Sequence, residues 1–113
     1  MRIALARNGQ QLAEHFGRCE GYEIVDIADS EVMERQFVPN PGHEPGRLPR
    51  MLAELQAGCV IAGGMGPRAQ ELFTEAGIET ITGVSGSLNE IIEAFVWGKL
   101  TTDGGNPCHH IES

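Results

Sequence analysis

Positive charge is scarce in this sequence. Eight basic residues stand against sixteen acidic ones, which gives a formal net charge of −8 at pH 7 over 113 residues. Lys99 is the single lysine, and no two basic residues are adjacent. Because nucleic acids and anionic lipid surfaces are bound through clusters of Lys and Arg, this balance argues against non-specific binding to either.

Long apolar segments are also lacking. No stretch approaches the roughly 20 apolar residues of a membrane-spanning helix, and the apolar start, residues 1–7, is too short for a secretory signal peptide. We therefore expect a cytoplasmic protein without a membrane partner. The remaining composition, 41% hydrophobic and 21% charged, is that of a folded chain, and 113 residues form one domain with a modest core.

Cysteine and aromatic residues are few. The three cysteines, Cys19, Cys59 and Cys108, are too few for a site with four cysteine ligands. Cys59 lies inside an apolar stretch and is predicted to be a structural core residue. The sequence has one tryptophan, one tyrosine and four phenylalanines, and we interpret most of them as packing residues rather than as a stacking platform.

Eight secondary-structure elements are predicted from hydrophobic periodicity. The strands have apolar or alternating patterns and span residues 1–7, 22–28, 32–38, 59–62 and 78–82. The helices repeat apolar residues at i, i+3, i+4 and i+7 and span residues 48–55, 69–76 and 88–95. Asp29 and Ser30 form a turn signal, and the proline-rich residues 39–49 form a connector or a lid. The order β-β-β-α-β-α-β-α is typical of an α/β domain.

The pattern also predicts the topology of the sheet. Strands that alternate with helices run parallel with right-handed crossovers, so the strands at 59–62 and 78–82 should be parallel. We expect the first strand to join them and the hairpin of residues 22–38 to extend one side. Residues 1–100 are then a single domain. Residues 101–113 lack periodicity and are predicted to form a flexible tail.

Three loops should meet at one crevice of this sheet. They follow the first strand, the strand at 59–62 and the last strand, and they contain residues 8–20, 63–67 and 83–87. In open α/β sheets, ligands bind beyond the carboxyl ends of the parallel strands. Most of the glycines, a histidine, an arginine and a cysteine fall in these loops, so the crevice is the candidate binding site.

The second of these loops is the candidate anion cradle. Gly63, Gly64, Met65 and Gly66 precede a helix start, where backbone N–H groups and the helix dipole favour negative charge. The loop is not a Walker loop, because no Gly-Lys-Ser/Thr follows. The alternative is that its glycines only make a tight strand-to-helix turn. Met65 is either a thioether ligand or, as is usual for a loop methionine, a packing residue.

The first loop and the tail hold the candidate metal ligands. His15 and Cys19 are four residues apart, so on a helical turn they would face the same way and could share a metal. Arg18 beside them would help to hold an anion. The alternatives are a surface histidine and a small buried cysteine. The tail adds a second metal-prone group, or else binds no metal. Its residues are Cys108, His109 and His110.

Catalysis is not predicted. No Ser–His–Asp order suggests a triad, and no pair of carboxylates lies at the ends of the parallel strands, as a two-metal hydrolase would need. A thiol enzyme that uses Cys19 with His15 as its base lacks an evident third, orienting group. We therefore expect a binding protein rather than an enzyme.

Three collinear segments resemble a known family. They are HFGR at residues 15–18 after the MRIALA strand, VIAGGMGPRAQELFTEAGIE from residue 60, and GVSGSLNEIIEAFVWGKL from residue 83. Together they cover nearly all of residues 1–100. They resemble the nitrogenase iron–molybdenum cofactor biosynthesis family, the NifX/NafY-like domain that is also found at the C-terminus of NifB. The chain is similar to the small stand-alone members.

This resemblance implies a fold and a function beyond what the residues show. It implies a ribonuclease-H-like mixed five-stranded sheet flanked by helices. It also implies a carrier, not a catalyst, for iron–sulfur or molybdenum-containing cofactor precursors. His15 falls on the family's cluster-contacting histidine, Arg18 on its arginine and residues 63–66 on its glycine loop. A monomer or weak dimer would pass the cargo between donor and acceptor metalloproteins.

Two features depart from the family pattern. Cys19 occupies a variable position, and residues 108–110 occur only in some small members, so both add soft ligands that could shift the preferred metal. A function of a different class stays open. It is a module that binds a single transition-metal ion or a small oxyanion for regulation or scavenging, and it would hold zinc, copper or molybdate without a stable cluster.

Overall fold

The computed structural model describes residues 1–40 and 47–98 of the chain. Its strands are β1 (Arg2–Asn8), β2 (Gln11–Leu12), β3 (Gly21–Ala28), β4 (Glu31–Pro39), β5 (Cys59–Ile61) and β6 (Glu79–Ile81). Its helices are α1 (Arg47–Glu54), α2 (Pro67–Glu75) and α3 (Leu88–Val96). Every predicted element is present in the predicted order, which confirms the mixed α/β class.

The short strand β2 is an addition to the predicted elements. It lies within residues 8–20, which the sequence predicts to be an irregular connection. Gln11 pairs with Asn8 and Leu12 with Arg7, so β2 folds back on the end of β1 through Gly9, whose φ is 61°. Two residues are too few for an alternating pattern to be recognised. The predicted count of five strands is therefore wrong by one.

One mixed sheet contains all six strands. Five lie side by side in the order β4-β3-β1-β5-β6, and β2 pairs with the end of β1. β1, β5 and β6 are parallel, with Ile3 opposite Cys59 and Cys59 opposite Glu79. β3 is antiparallel to β1, and β4 is antiparallel to β3. The predicted topology, parallel strands with a hairpin on one side, is confirmed.

The two faces of the sheet bury separate cores. On one face, α1 and α2 cover a cluster that includes Tyr22 and Phe73. On the other face, α3 alone covers a cluster that includes Leu5 and Phe95. Alternation along β1 explains the division, since Leu5 and Ala6 point to opposite faces. Because α3 has only nine residues, it leaves the β4 side of its face uncovered, and β4 is exposed along nearly its whole length.

Turn and cap residues set the element boundaries, including the predicted turn at Asp29 and Ser30. Asp29 and Ser30 have φ values of 53° and 63° and close the hairpin between β3 and β4. The Ser87 hydroxyl accepts a hydrogen bond from the Glu90 N–H at 3.2 Å and begins α3. Gly77, with a φ of 76°, ends α2 because a left-handed residue cannot continue the helix.

Some predictions fall outside the described residues. The proline-rich segment is described as far as Asn40 and again from Arg47. The tail, residues 101–113, lies outside the description, and so do its candidate ligands Cys108, His109 and His110. Within the described residues, no helix is long and apolar enough to cross a membrane.

Candidate functional site

Backbone hydrogen bonds join the three predicted loops at the carboxyl ends of β1, β5 and β6. The Gly63 N–H donates to the Ala13 carbonyl at 2.9 Å, and the Gly63 carbonyl accepts from the Gly83 N–H at 2.9 Å. The Leu12 N–H donates to the Gly86 carbonyl at 3.0 Å. The predicted meeting of the loops is therefore confirmed, and main-chain bonds hold them together.

Close packing explains two of the glycines in residues 63–66, which we call the glycine loop. A Cβ on Gly63 would lie 2.9 Å from Glu14 Cα and 3.0 Å from the Glu14 carbonyl oxygen. A Cβ on Gly64 would lie 3.1 Å from the same oxygen, whereas one on Gly66 would have nothing within 4 Å. Close packing against the first loop thus accounts for Gly63 and Gly64 but not for Gly66.

Residues 15–18, the HFGR turn, form a single β-turn beside the glycine loop. The Arg18 N–H donates to the His15 carbonyl at 3.2 Å, and Gly17 has a φ of 89°, as the third residue of a type II turn requires. His15 and Arg18 are both exposed. The His15 Nδ1 lies 3.8 Å from the place of a Cβ on Gly64. The turn therefore sets an accessible imidazole against the glycine loop.

Phe16 anchors the HFGR turn to the core. Its ring packs against Tyr22 and Phe73 with centroid separations of 5.4 Å and 5.2 Å. Its N–H donates to the Gly64 carbonyl at 2.8 Å, which ties the turn to the glycine loop. Sequence reasoning missed this residue, because a loop has no period that tells which side chain faces inward. The one available signal was a large apolar residue next to two polar, turn-forming neighbours.

Asn40 holds the same turn from the end of β4. Its Nδ2 donates to the Gly17 carbonyl at 3.1 Å and to the Cys19 carbonyl at 2.9 Å. Its backbone N–H donates to the Glu20 carbonyl at 3.1 Å. The sequence predicts only a proline-rich connector at this position. A side-chain amide can donate twice, but nothing in the local sequence shows which carbonyls it reaches.

The crevice contains a helix start without a side-chain cap and an exposed arginine. Gly66 is the N-cap of α2 and supplies no side-chain hydrogen bond, and Pro67 at the start of the helix has no N–H. Arg18 forms no ion pair with any residue in the ranges 1–40 and 47–98. An unpaired cation and an uncapped helix start favour an anion. They do so in a chain whose net charge is −8.

Comparison with known proteins identifies the family. The profile described as "Dinitrogenase iron-molybdenum cofactor" matches residues 1–98. The chain belongs to this family. The match runs from β1 to the end of α3 and includes both the HFGR turn and the glycine loop. The resemblance seen in the sequence is confirmed, and it associates the chain with the binding or biosynthesis of the iron–molybdenum cofactor.

Relatives and solved structures are similar to this member of the dinitrogenase cofactor family over nearly its whole length. MJ0580 of Methanocaldococcus jannaschii, described as uncharacterised, is 31% identical over 105 residues, 88% of this chain and 89% of the relative. The crystal structure of PH0822 is 36% identical with a TM-score of 0.86, covering 92% of this chain and 96% of that one. The apo orange protein of Desulfovibrio gigas is 27% identical with a TM-score of 0.76, covering 92% and 93%.

The cysteine after the HFGR turn faces the core of this family member. Cys19 is a free cysteine, 9% exposed, and belongs to the cluster that contains Tyr22. The helical turn that would align Cys19 with His15 does not form, since residues 13–20 contain no helix. That geometric premise is wrong, and the two residues differ in exposure. Cys19 as a metal ligand stays a prediction.

The two remaining residues, Met65 and Cys59, lie against the core or within it. Met65 is half-buried and packs against the core, and its carbonyl accepts from Gln70 Nε2 at 2.9 Å, as expected for a packing residue. Cys59 is fully buried in β5, as predicted. Among residues 1–40 and 47–98, no group of three or more His, Cys, Asp or Glu could hold a metal ion.

Tyr22 is fully buried beneath the HFGR turn and is the only tyrosine of the chain. Burial raises its pKa far above the usual range, and the neighbouring Cys19 side chain raises it further. The hydroxyl lies beside that thiol, yet it has no hydrogen bond of good geometry in the described part of the chain. The phenol is therefore held neutral mainly by its exclusion from water.

We predict that Tyr22 does not ionise until alkali unfolds the protein. Its folded pKa lies above the value of about 10 in an unfolded chain, so its contribution to stability is complete below pH ~10 and is lost as the pH rises further. Phenolate absorbance should therefore appear together with the loss of far-ultraviolet circular dichroism. Phenolate formation near pH ~10 in a protein that keeps its dichroism would contradict the burial of Tyr22.

Proposed function

We propose that this chain binds an anionic iron–sulfur or iron–molybdenum–sulfur cluster and carries it between metalloproteins. The observation that carries the proposal is the exposed His15 imidazole, set against the glycine loop in the same turn as Arg18, which forms no ion pair with a described residue. An imidazole nitrogen is a ligand for iron, while a guanidinium and the uncapped start of α2 stabilise negative charge. Membership of the dinitrogenase iron–molybdenum cofactor family supports a cargo of this kind.

Loose attachment of the cargo follows from this set of groups. The crevice offers one exposed imidazole and backbone amides, with Cys19 buried behind the turn. A cluster brings its own sulfide, so the protein does not have to supply four thiolates. A carrier must release its cargo, and few ligands make release fast. We therefore propose a cytoplasmic carrier rather than an enzyme.

Anaerobic reconstitution tests the proposal. The protein is incubated with iron and sulfide, with and without molybdate, and its metal content and visible absorption are recorded. We expect a stoichiometric chromophore whose affinity falls on the order of tenfold, about 1.4 kcal/mol, in His15→Ala. Arg18→Ala should weaken binding most at low salt. Arg50→Ala, which removes an exposed arginine of α1, is the matched control and should bind normally.

The same variants discriminate the roles of the site residues. An unchanged affinity in His15→Ala would remove the central assignment, even if a chromophore forms. Equal losses in Arg18→Ala and Arg50→Ala would mean that net charge, rather than the crevice, attracts the cluster. A protein that takes up no iron–sulfur chromophore under any condition would contradict the carrier proposal as a whole.

A small oxyanion is the second candidate ligand, favoured by the exposed Arg18, which has no ion-pair partner among the described residues, and by the helix start of α2, which has no side-chain cap. These groups suit molybdate as well as a cluster, because both are anions. Tight binding of molybdate or of a single metal ion by a colourless protein would favour this module. If the metal ion is held by the tail, deletion of the residues after Thr102 should remove most of the binding.

A further inference from the structure

Exposed apolar side chains gather on β4 and at the end of α3. The described part of the chain has five large hydrophobic residues that are strongly exposed, and four of them lie on β4 or at the end of α3. They are Val32, Met33, Phe37 and Trp97, with exposed fractions from 42% to 64%. Single exposed apolar residues are ordinary, but a group of them on adjoining elements marks an interaction surface.

A groove of about 260 Å³ lies between β4 and α3. Its lining includes Val32, Arg35, Asn89, Ile92, Val96 and Trp97. The groove exists because α3 alone covers this face of the sheet and leaves the β4 side open. Its apolar walls come from two separate elements, so it offers a recess for a side chain rather than a flat patch.

Hydrogen bonds of Arg35 connect the two walls of the groove. Arg35 Nε donates to the buried Glu23 carboxylate at 2.8 Å, and its guanidinium also donates to Asn89 Oδ1 at 2.7 Å. These two bonds connect β4 to β3 and to α3. A recess whose walls are joined in this way is largely formed before a partner arrives, which lowers the entropic cost of binding.

The rim of the groove is acidic. The exposed Glu93 lies on the helix wall, and the exposed Asp29 precedes Ser30 of the strand wall in the hairpin turn. Neither carboxylate forms an ion pair with another described residue. Arg35, the basic residue among the described lining, is already bound by Glu23. Unpaired carboxylates around an apolar recess attract a partner of opposite charge.

We propose that this groove docks a protein segment that inserts an apolar side chain and flanks it with Lys or Arg. Charge complementarity selects this occupant over a second copy of the chain, because two copies would bring the same acidic rims together. The inference goes beyond cluster binding, since no residue of the groove belongs to the HFGR turn or the glycine loop.

The position of the groove keeps the crevice accessible to the cargo. The N-terminus of α3 lies at the crevice, where the Leu88 N–H donates to the Gln10 carbonyl at 2.9 Å. Trp97 follows the other end of the helix, roughly 14 Å away at 1.5 Å per residue. The hairpin turn at Ser30 lies at that same distant end, since β3 runs antiparallel to β1. The HFGR turn packs through Phe16 against the other face of the sheet, so a docked partner would hold the protein without covering His15.

Trp97 allows a direct test, because it is the only tryptophan of the chain. The probe is a tryptophan-free synthetic peptide of leucines and arginines, followed by the fluorescence of Trp97. We expect saturable binding with a blue shift, and an affinity at least tenfold lower in Val32→Asp and in Glu93→Lys. Glu71→Lys, on the exposed face of α2, is the matched control and should bind normally.

Three outcomes would overturn the proposal. The first is equal binding of a peptide with serine in place of leucine, which would mean that charge alone attracts it. The second is unchanged affinity in Val32→Asp, provided that its circular dichroism shows a folded protein. The third is a dimer in sedimentation equilibrium whose formation shifts the Trp97 emission, which would make a second copy the occupant. Cluster reconstitution should be normal in the groove variants, so this test and that of the carrier function fail separately.

Discussion

Replacement of Glu23 by alanine is expected to destabilise the folded protein by about 3 kcal/mol, measured as the free energy of urea unfolding. Glu23 is the only charged residue in the buried core of the described chain, with 6% exposure. Its carboxylate accepts from Arg7 at 2.7 Å and from Arg35 at 2.8 Å. Arg35 can turn towards water once the carboxylate is gone. Arg7, whose side chain is 18% exposed, would keep a charge without its main partner.

A second ion pair provides the control for this prediction. Arg2 Nε lies 2.6 Å from Asp26 Oδ1, and the two side chains are 36% and 30% exposed. The hydrogen bond from Arg2 holds the pKa of Asp26 below its usual range. Solvent screens an exposed pair, so Asp26→Asn should cost much less than Glu23→Ala. Equal losses in the free energy of unfolding of the two variants would show that the burial of Glu23 does not add to the cost of removing its carboxylate.

A double variant tests whether stability needs the Arg7–Glu23 ion pair itself or only side chains that fill its buried volume. In Arg7→Met/Glu23→Leu neither charge is left in the core, and the apolar side chains fill similar volumes. Apolar replacement of a buried ion pair is often neutral, so most of the stability lost in Glu23→Ala should return. The contact of the Arg7 guanidinium with the Phe37 ring, 4.8 Å from its centroid, would be replaced by a methionine–aromatic contact.

Hydrophobic periodicity was sufficient to predict the sheet and the meeting of its loops. The strand β5 is recognisable because all three of its residues are buried, divided between the two cores. The helix α3 is recognisable because its apolar residues repeat at helical spacing on the side that faces one core. Once β1, β5 and β6 are parallel neighbours, the loops that follow them must lie at one edge. The hydrogen bond between Gly63 and Ala13 is a consequence of that topology.

Contacts between distant residues could not be predicted in this way. Glu23 lies on a strand with an alternating pattern, which indicates the face of the sheet on which it lies. The pattern does not show the two arginines whose hydrogen bonds offset the cost of burying its carboxylate. Asn40 bonds a turn more than twenty residues away. The spacing of His15 and Cys19 would align them only on a helical turn, whereas the positive φ of Gly17 makes residues 15–18 a β-turn. The partners of Glu23 and Asn40 depend on tertiary packing, which the spacing of residues along the chain does not show.

Gly63→Ala should also destabilise the protein, by about 2 kcal/mol, a value typical of overpacking. The new methyl carbon would meet Glu14 Cα at 2.9 Å, the Glu14 carbonyl at 3.0 Å and the Ala13 carbonyl at 3.1 Å. All three are backbone atoms, so no side chain can rotate away. The backbone of the first loop can yield only by weakening the hydrogen bond from the Gly63 N–H to Ala13.

Gly66→Ala is the matched control for this change. A methyl group there meets nothing within 4 Å, and the φ of −67° suits alanine, so the stability should change by less than about 0.5 kcal/mol.

Because the HFGR turn rests on the glycine loop, Gly63→Ala should also displace His15 and weaken cluster binding, whereas Gly66→Ala should leave the His15 imidazole resonances in place. Urea unfolding and the NMR signals of His15 would be measured for both variants. If both unfold at the same urea concentration, the close approach of the two loops is not what requires glycine at position 63. If only Gly63→Ala unfolds early and moves His15, this glycine serves the site by positioning the histidine.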